Sequence, residues 1–262
     1  MYESYWKLKE KPFENTPDPK FLYRSREHEE AMIRLLYAIH SNKGCALLTG
    51  DYGCGKTLLM YTIIKELSQG PFEIAYLTNP RWTPIELIKE ILYQLDIETN
   101  SDSKLDLVHK LNDFLYDTAR KQKHTIVIID EAQEIKDPDI YEELRLLLNF
   151  QLNDRFLLTL FLVGQNELKE LIQKIPQFNQ RIAIKYHLKP FDLDDTKSYI
   201  EYRIRVAGRE DSMFTQDAYE MIFEKSDGIP RLINNICDLC LVIGYGKKLE
   251  KIDSSIVREV SL

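Results

Sequence analysis

Long apolar runs are missing from this chain of 262 residues. The longest, Phe156 to Val163 with Thr159 inside it, falls far short of the ~20 residues a membrane helix needs, so no integral membrane segment is expected. No basic-then-apolar signal opens the chain, because Met1 to Lys11 mixes charges with aromatics. Cysteine is sparse, with four residues, and in a chain without a secretory signal these point to reduced thiols in a cytosolic compartment. An excess of positive charge is missing too. The 35 basic and 42 acidic residues leave a net charge of −7, which argues against coating nucleic acid by bulk charge, although a local basic track remains open. Internal repeats and low-complexity tracts are absent. The hydrophobic share of 44% and the charged share of 29% are ordinary globular values and exclude wholesale disorder. The chain is expected to be cytoplasmic, with one large domain or a core plus a smaller appendage.

Glycine is scarce as well, and its placement is informative. Four of the ten glycines, Gly44, Gly50, Gly53 and Gly55, fall within twelve residues. Glycine is needed where the backbone takes positive φ or comes close to a ligand. Before the cluster, Cys45 to Thr49 reads as a buried strand; after it, Thr57 to Leu67 reads as a helix stopped by Gly70 and Pro71. Strand, glycine loop and helix do not make a linker.

The pattern then alternates. Phe72 to Leu77, Thr125 to Ile129, Leu157 to Val163 and Ala183 to Leu188 read as further strands. Between them, Thr83-Pro84-Ile85-Glu86 carries an N-cap, an N1 proline and a capping-box glutamate for a helix to about Leu95. Leu105, Val108, Leu111 and Leu115 mark an amphipathic helix, and Ile140 to Phe150 another. Five strands alternating with helices predict an α/β fold, a parallel sheet covered on both faces in three αβα layers. After Pro190 only helices are expected, with Asp194, Thr215 and Asp253 as N-caps. The expected division is therefore 1–190, an N-terminal segment with the α/β core, and 191–262, an all-helical lid.

Gly50-Asp51-Tyr52-Gly53-Cys54-Gly55-Lys56-Thr57 fits the phosphate-loop pattern G-x-x-x-x-G-K-[ST] in full. Its glycines let backbone N–H groups turn in around a β-phosphate, and a helix N-terminus adds positive partial charge. Lys56 would reach the β- and γ-phosphate oxygens, and the Thr57 hydroxyl would ligate Mg²⁺. Ile126 to Ile129 followed by Asp130-Glu131 supplies the partner: Asp130 for the Mg²⁺ shell, Glu131 to polarise the attacking water. A nucleoside triphosphate and Mg²⁺ are thus the expected ligands, with hydrolysis of the triphosphate the expected chemistry; the resemblance below makes the nucleotide ATP. Gln165 ends the next strand, where it would orient the water beside Glu131, although turn chemistry explains Asn166 equally well. Arg181, before the last strand, either reaches a neighbouring subunit's γ-phosphate or makes a surface ion pair; Arg155 and Arg145 are its rivals. Arg231 lies in the first turn of a helix, where a cation is disfavoured by the dipole, so it is expected to face an anion, the γ-phosphate.

These features together resemble an AAA+ ATPase. More narrowly, the opening Tyr2-Glu3-Ser4-Tyr5-Trp6, Thr16-Pro17-Asp18-Pro19, Phe21-Leu22-Tyr23, Leu146 to Gln151, Val163 to Leu168 and Gly228 to Asn234 resemble the ExeA (general secretion pathway protein A) family over essentially the whole chain. The resemblance implies a P-loop NTPase core with a C-terminal helical lid. It also implies an ATPase that self-associates into a ring or filament and drives assembly at the cell envelope (secretion, pilus or polysaccharide export), with a protein partner at the inner membrane and a location peripheral to it. It places adenine between the lid and the segment Phe13 to Tyr23, and it makes Asn79 the polar residue that gates the catalytic glutamate. The alternative is a nucleic-acid-associated ATPase such as a transposition target-selection regulator, which the acidic balance disfavours. A third reading, a nucleotide-gated scaffold with little turnover, sits poorly with an intact Glu131.

Other features read as structural. Cys237-x-x-Cys240 has metal spacing but is single and lies in a helix, so core packing is expected. Cys54 reads as a small filler, Arg120 to His124 as a solvated loop, and the five histidines show no ligand spacing. Tyr2, Tyr5 and Trp6 are expected to pack onto the core near the nucleotide.

Overall fold

The computed structural model describes residues 2–261, which separate into two compact units. One comprises residues 30–50 and 62–188; the other comprises the chain up to Glu29, the stretch Asp51–Tyr61 and everything from Lys189 on. The boundary runs through helices α1 (Arg26–His40) and α2 (Lys56–Leu67). The last stretch of the second unit begins at Lys189, and its elements are all helices. Residues before Glu30 group with those helices, however, and not with the sheet.

The first unit holds a five-stranded sheet of β1 (Cys45–Gly50), β2 (Phe72–Leu77), β3 (His124–Ile129), β4 (Leu158–Gly164) and β5 (Ile182–Leu188). Every pairing is parallel, in the order β2-β3-β4-β1-β5. The three inner strands are buried at every residue, as a sheet covered on both faces requires. Leu47, Val127, Ile129, Leu158, Leu160 and Leu162 on one face join a core with Leu87, Ile88, Ile91 and Leu92 of α3 (Pro84–Gln94) and Leu107, Leu111 and Leu115 of α4 (Lys104–Arg120). Ala46, Leu48, Ile126, Ile128, Phe161 and Val163 on the other face are equally buried.

Local chemistry explains the helix starts. Thr83 accepts from the Glu86 backbone and Glu86 reaches back to the Thr83 backbone, a complete capping box ahead of Pro84. In α4 the apolar stripe is displaced from its expected start: Leu105 is exposed, and Leu107 takes the buried position. Helix α5 (Pro138–Leu147) opens earlier than Ile140, because Asp137 caps it and Pro138 occupies N1. Two short helices, α6 (Asn166–Gln173) and α7 (Pro176–Asn179), connect β4 to β5.

The helical unit contains α8 (Leu193–Val206), α9 (Gln216–Ser226), α10 (Pro230–Lys247) and α11 (Ser254–Glu259). Asp192, not Asp194, caps α8; its side chain accepts from the Asp195 N–H, and Asp194 falls in the first turn. Tyr2 and Trp6 are indeed buried, but among these helices: they share one apolar core with Phe13, Tyr199, Ile236, Leu241 and Ile252. The Trp6 indole N–H donates to the Leu241 carbonyl at 2.9 Å and the Tyr2 hydroxyl donates to Asp238. These bonds explain why the N-terminal segment groups with the lid helices and not with the sheet.

Candidate functional site

The chain leaves β1 at Gly50 and enters α2 at Lys56 through the five residues of the glycine loop. Gly53 and Gly55 take φ of +87° and +92°, which L side chains rarely adopt, so the loop curls as a phosphate cradle must. Lys56 is buried at 7% exposure, and its ammonium donates to the Asp51 carbonyl at 2.9 Å. Thr57 sits half-buried in the first turn of α2, beside the helix's N-terminal N–H groups. The loop is braced from α1: buried His28 lies with Nε2 3.1 Å from the Cys54 carbonyl and Nδ1 2.8 Å from the Ser25 hydroxyl. Burial holds the His28 imidazole down to about 4. It is therefore neutral near pH 7, with Nε2–H donating to Cys54 and Nδ1 accepting from Ser25.

Arg231 does not rely on its own helix for compensation. Its guanidinium stacks over the exposed Tyr52 ring, 4.7 Å from the centroid, and donates to the Tyr52 hydroxyl. Its backbone N–H donates to the Gly53 carbonyl at 3.3 Å, which gives one unpaired donor at the start of α10 a partner. The glycine loop and Arg231 are thus brought together.

In the sheet unit, the C-terminal ends of the inner strands present the acidic pair and the amide. Asp130, only 3% exposed, follows β3; it accepts from the Tyr76 hydroxyl at 2.8 Å and from the Glu131 N–H at 2.9 Å. Glu131 has left-handed backbone, φ 53°, and its Oε2 accepts from Gln133 Nε2 at 2.5 Å and from Gln165 Nε2 at 3.4 Å. Gln165, the N-cap position of α6, therefore lies beside Glu131. Asn79 lies just beyond β2, exposed and with φ 60°, and its carbonyl accepts from Arg81; the Glu131 carboxylate takes its bonds from the two glutamines instead. Arg181, directly before β5, donates to the neutral amide oxygen of Asn149 at 3.3 Å. Arg145 is already matched in a two-point pair with Glu142 at 2.8 and 2.6 Å, and Arg155 is exposed.

An aspartate carboxylate and a threonine hydroxyl are hard oxygen donors of the kind Mg²⁺ prefers, and a nearly enclosed Asp130 already carrying two hydrogen-bond donors is oriented for such a role. Tyr76, Gln133 and His28 went unnoticed in the sequence. Tyr76 had a signal: it pairs with Ile128 in register, and Asp130 lies two residues on, along the same face.

The remaining features are structural. All four cysteines are buried, and burial pushes the Cys54 thiol up to about 11 and Cys240 to about 12, so neither is a ready thiolate. No group of three or more histidine, cysteine, aspartate or glutamate side chains placed to hold a metal ion exists among the described residues. Of the basic run, Arg120 and Lys123 pair with Asp117 and Glu73, and His124 is buried in β3. No helix among the described residues is long and apolar enough to cross a membrane.

The family model of the AAA domain matches residues 39–172. The chain is 36% identical over 255 residues to general secretion pathway protein A of Aeromonas hydrophila; the match covers 96% of this chain and 46% of that protein, about half its length. It is 26% identical over 296 residues to an uncharacterized HTH-type transcriptional regulator of Methanocaldococcus jannaschii, covering 97% of this chain and 72% of that one. Among solved structures it resembles the Aeropyrum pernix ORC2 protein in its ADPNP–ADP complexes, with a TM-score of 0.71, 20% identity and coverage of 96% and 71% of the two chains, a likeness of fold alone.

Proposed function

Because the chain belongs to the AAA domain family, we propose that it is an oligomeric, Mg²⁺-dependent ATPase that couples ATP binding and hydrolysis to assembly or remodelling of a cell-envelope system such as secretion, pilus or polysaccharide export. The observation that carries the ATPase reading is that one chain holds both a complete phosphate loop, with Lys56 anchored at its base, and an Asp-Glu strand end whose glutamate is held by two amides. Lys56 and the loop N–H groups bind the phosphates, and Arg231 swings its charge from Tyr52 toward the γ-phosphate. Asp130 and Thr57 hold the metal, which when bound neutralises charge developing on the phosphate oxygens. Glu131 takes the proton from the attacking water, Gln165 orients that water, and Arg181 completes the site of an adjacent subunit.

The envelope process is supported by the 36% identity to general secretion pathway protein A across nearly this entire chain. A protein partner at the inner membrane and a cytoplasmic, peripheral location follow from the same reading. The HTH-type relative favours a second reading, action on nucleic acid, against which the net charge of −7 weighs.

Isothermal titration tests the site. Lys56→Ala removes the loop's full charge and should abolish ATP binding, whereas Glu131→Gln should keep binding and lose turnover, because Asp130 remains. Tight ATP binding by the lysine variant overturns the assignment, and salt-sensitive binding of duplex DNA by the ATP-loaded protein would favour the second reading.

A further inference from the structure

The hydrolysis reading leaves one buried side chain beside the catalytic carboxylate without a task. Gln133 is 8% exposed and lies in the single turn Ala132–Glu134 after Glu131. Its two ends meet opposite demands. Nε2 is 2.5 Å from Glu131 Oε2, which can only accept, and Oε1 accepts from the Gln165 backbone N–H at 3.1 Å, which can only donate. These partners fix the amide's orientation without ambiguity. A carboxylate there could not donate, an ammonium could not accept, and a thioether cannot donate and accepts only weakly.

Two backbone features serve the same contact. Glu131 is held in the left-handed region, a conformation that is strained for a glutamate and persists where the surroundings over-determine it. Gly164 leaves room for Gln133: a Cβ there would come 2.6 Å from Gln133 Oε1 and 2.8 Å from Leu168 Cδ2. The sequence thus spends a strained glutamate and a glycine to seat this one amide.

We propose that Gln133 is a positioning residue that divides the labour of the Glu131 carboxylate, anchoring Oε2 so that Oε1 faces the attacking water. Both amides, Gln133 Nε2 and Gln165 Nε2, reach Oε2, and Oε1 accepts no hydrogen bond among the described residues. In the reaction the water oxygen forms a bond to the γ-phosphorus, the bond from that phosphorus to the ADP oxygen breaks, and the water proton passes to Oε1. Gln133 touches neither water nor nucleotide. Through the Gln165 N–H it also ties the start of α6 to the same carboxylate, so the residue that orients the water and the residue that deprotonates it move together.

The inference rests on the hydrolysis reading, and the experiment separates the two. Gln133→Met loses both bonds, and Gln133→Glu, nearly isosteric, keeps the acceptor and loses the donor. Both should lower kcat about 10- to 100-fold while ATP affinity by titration stays within about threefold of the wild type. In a Glu131→Gln background, Gln133→Met should change the residual turnover less than about twofold, because its effect passes through the missing carboxylate; a merely structural residue would lower it again. A second readout needs no turnover. In ¹H–¹⁵N spectra the Gln133 side-chain amide, assigned by its loss in Gln133→Met, should lie downfield of exposed glutamines and move upfield in Glu131→Gln. If wild-type protein fails to hydrolyse ATP, the hydrolysis reading falls and the amide shift alone decides the contact. Wild-type kcat in both Gln133 variants, or an amide resonance indifferent to Glu131→Gln, overturns the proposal.

Discussion

Single side chains carry the pH response of this protein. His28 and His124 are both buried, and burial first, with Arg155 adding to it at His124, holds each imidazole down to about 4 from an ordinary 6.5. Between those values the unfolded chain takes up protons that the folded chain refuses, so the two histidines' contribution to stability falls as pH drops from 6.5 toward 4 and is constant above about 7. At about 1.4 kcal/mol per unit, each histidine contributes a loss on the order of 3 kcal/mol across that window. Urea denaturation at pH 7.5 and pH 5 should therefore show a lower midpoint at the acid end, and His124→Gln should roughly halve the difference, His28 keeping its share, since the new amide can still meet the Thr159 hydroxyl that His124 Nε2 now reaches at 2.8 Å. An unchanged slope in that variant would mean that His124 is already charged at pH 5. The contrast with Lys56 shows what single residues disclose in sequence. Lys56 was legible because its partners lie within the same eight-residue motif. His28 and Gln133 were not, because a carbonyl 26 residues away holds the first and a backbone amide 32 residues away is needed to orient the second.

At the scale of elements, the strands were readable because a parallel sheet buried on both faces demands unbroken apolar runs, and all five appear within a residue or two of their expected limits. Helix starts were readable where a side-chain cap and a proline coincide, as at Thr83-Pro84. They were misread at α8, where Asp192, Asp194 and Asp195 offered three capping carboxylates within four residues. The start of α10 depends on a glycine instead. Gly228 takes φ +71°, its carbonyl accepts from the Phe191 N–H at 2.9 Å, and a Cβ would lie 1.9 Å from the Phe191 carbonyl oxygen. Left-handed backbone costs an ordinary residue about 1–2 kcal/mol, and here backbone would have to move as well. Gly228→Ala should lose more than about 2 kcal/mol in denaturant titration, and it should weaken ATP-dependent turnover further, because Arg231 lies three residues on and takes its place over Tyr52 from the entry of α10. Wild-type stability in this variant would show that the turn can open without harm.

For the whole molecule, the question is what one chain supplies to another. Of the three arginines considered for a trans role, Arg145 is matched by Glu142 in two hydrogen bonds, whereas Arg181 has the uncharged Asn149 amide as its partner. A guanidinium bound to a carboxylate must give up a charged partner before it can meet a phosphate; one bound to an amide gives up much less. Arg181 is therefore the arginine best prepared to leave its place. A trans arginine is worth about 10³–10⁵ in rate, so specific ATPase activity should rise with protein concentration as subunits associate. Arg181→Ala should remove that rise and leave ATP affinity within a few-fold, because the glycine loop is untouched. Mixed with Glu131→Gln, it should recover part of the activity, since the second variant supplies an intact arginine to the intact glutamate of the first. Full activity of Arg181→Ala at every concentration would pass the role to Arg155, which is exposed and precedes β4 as Arg181 precedes β5.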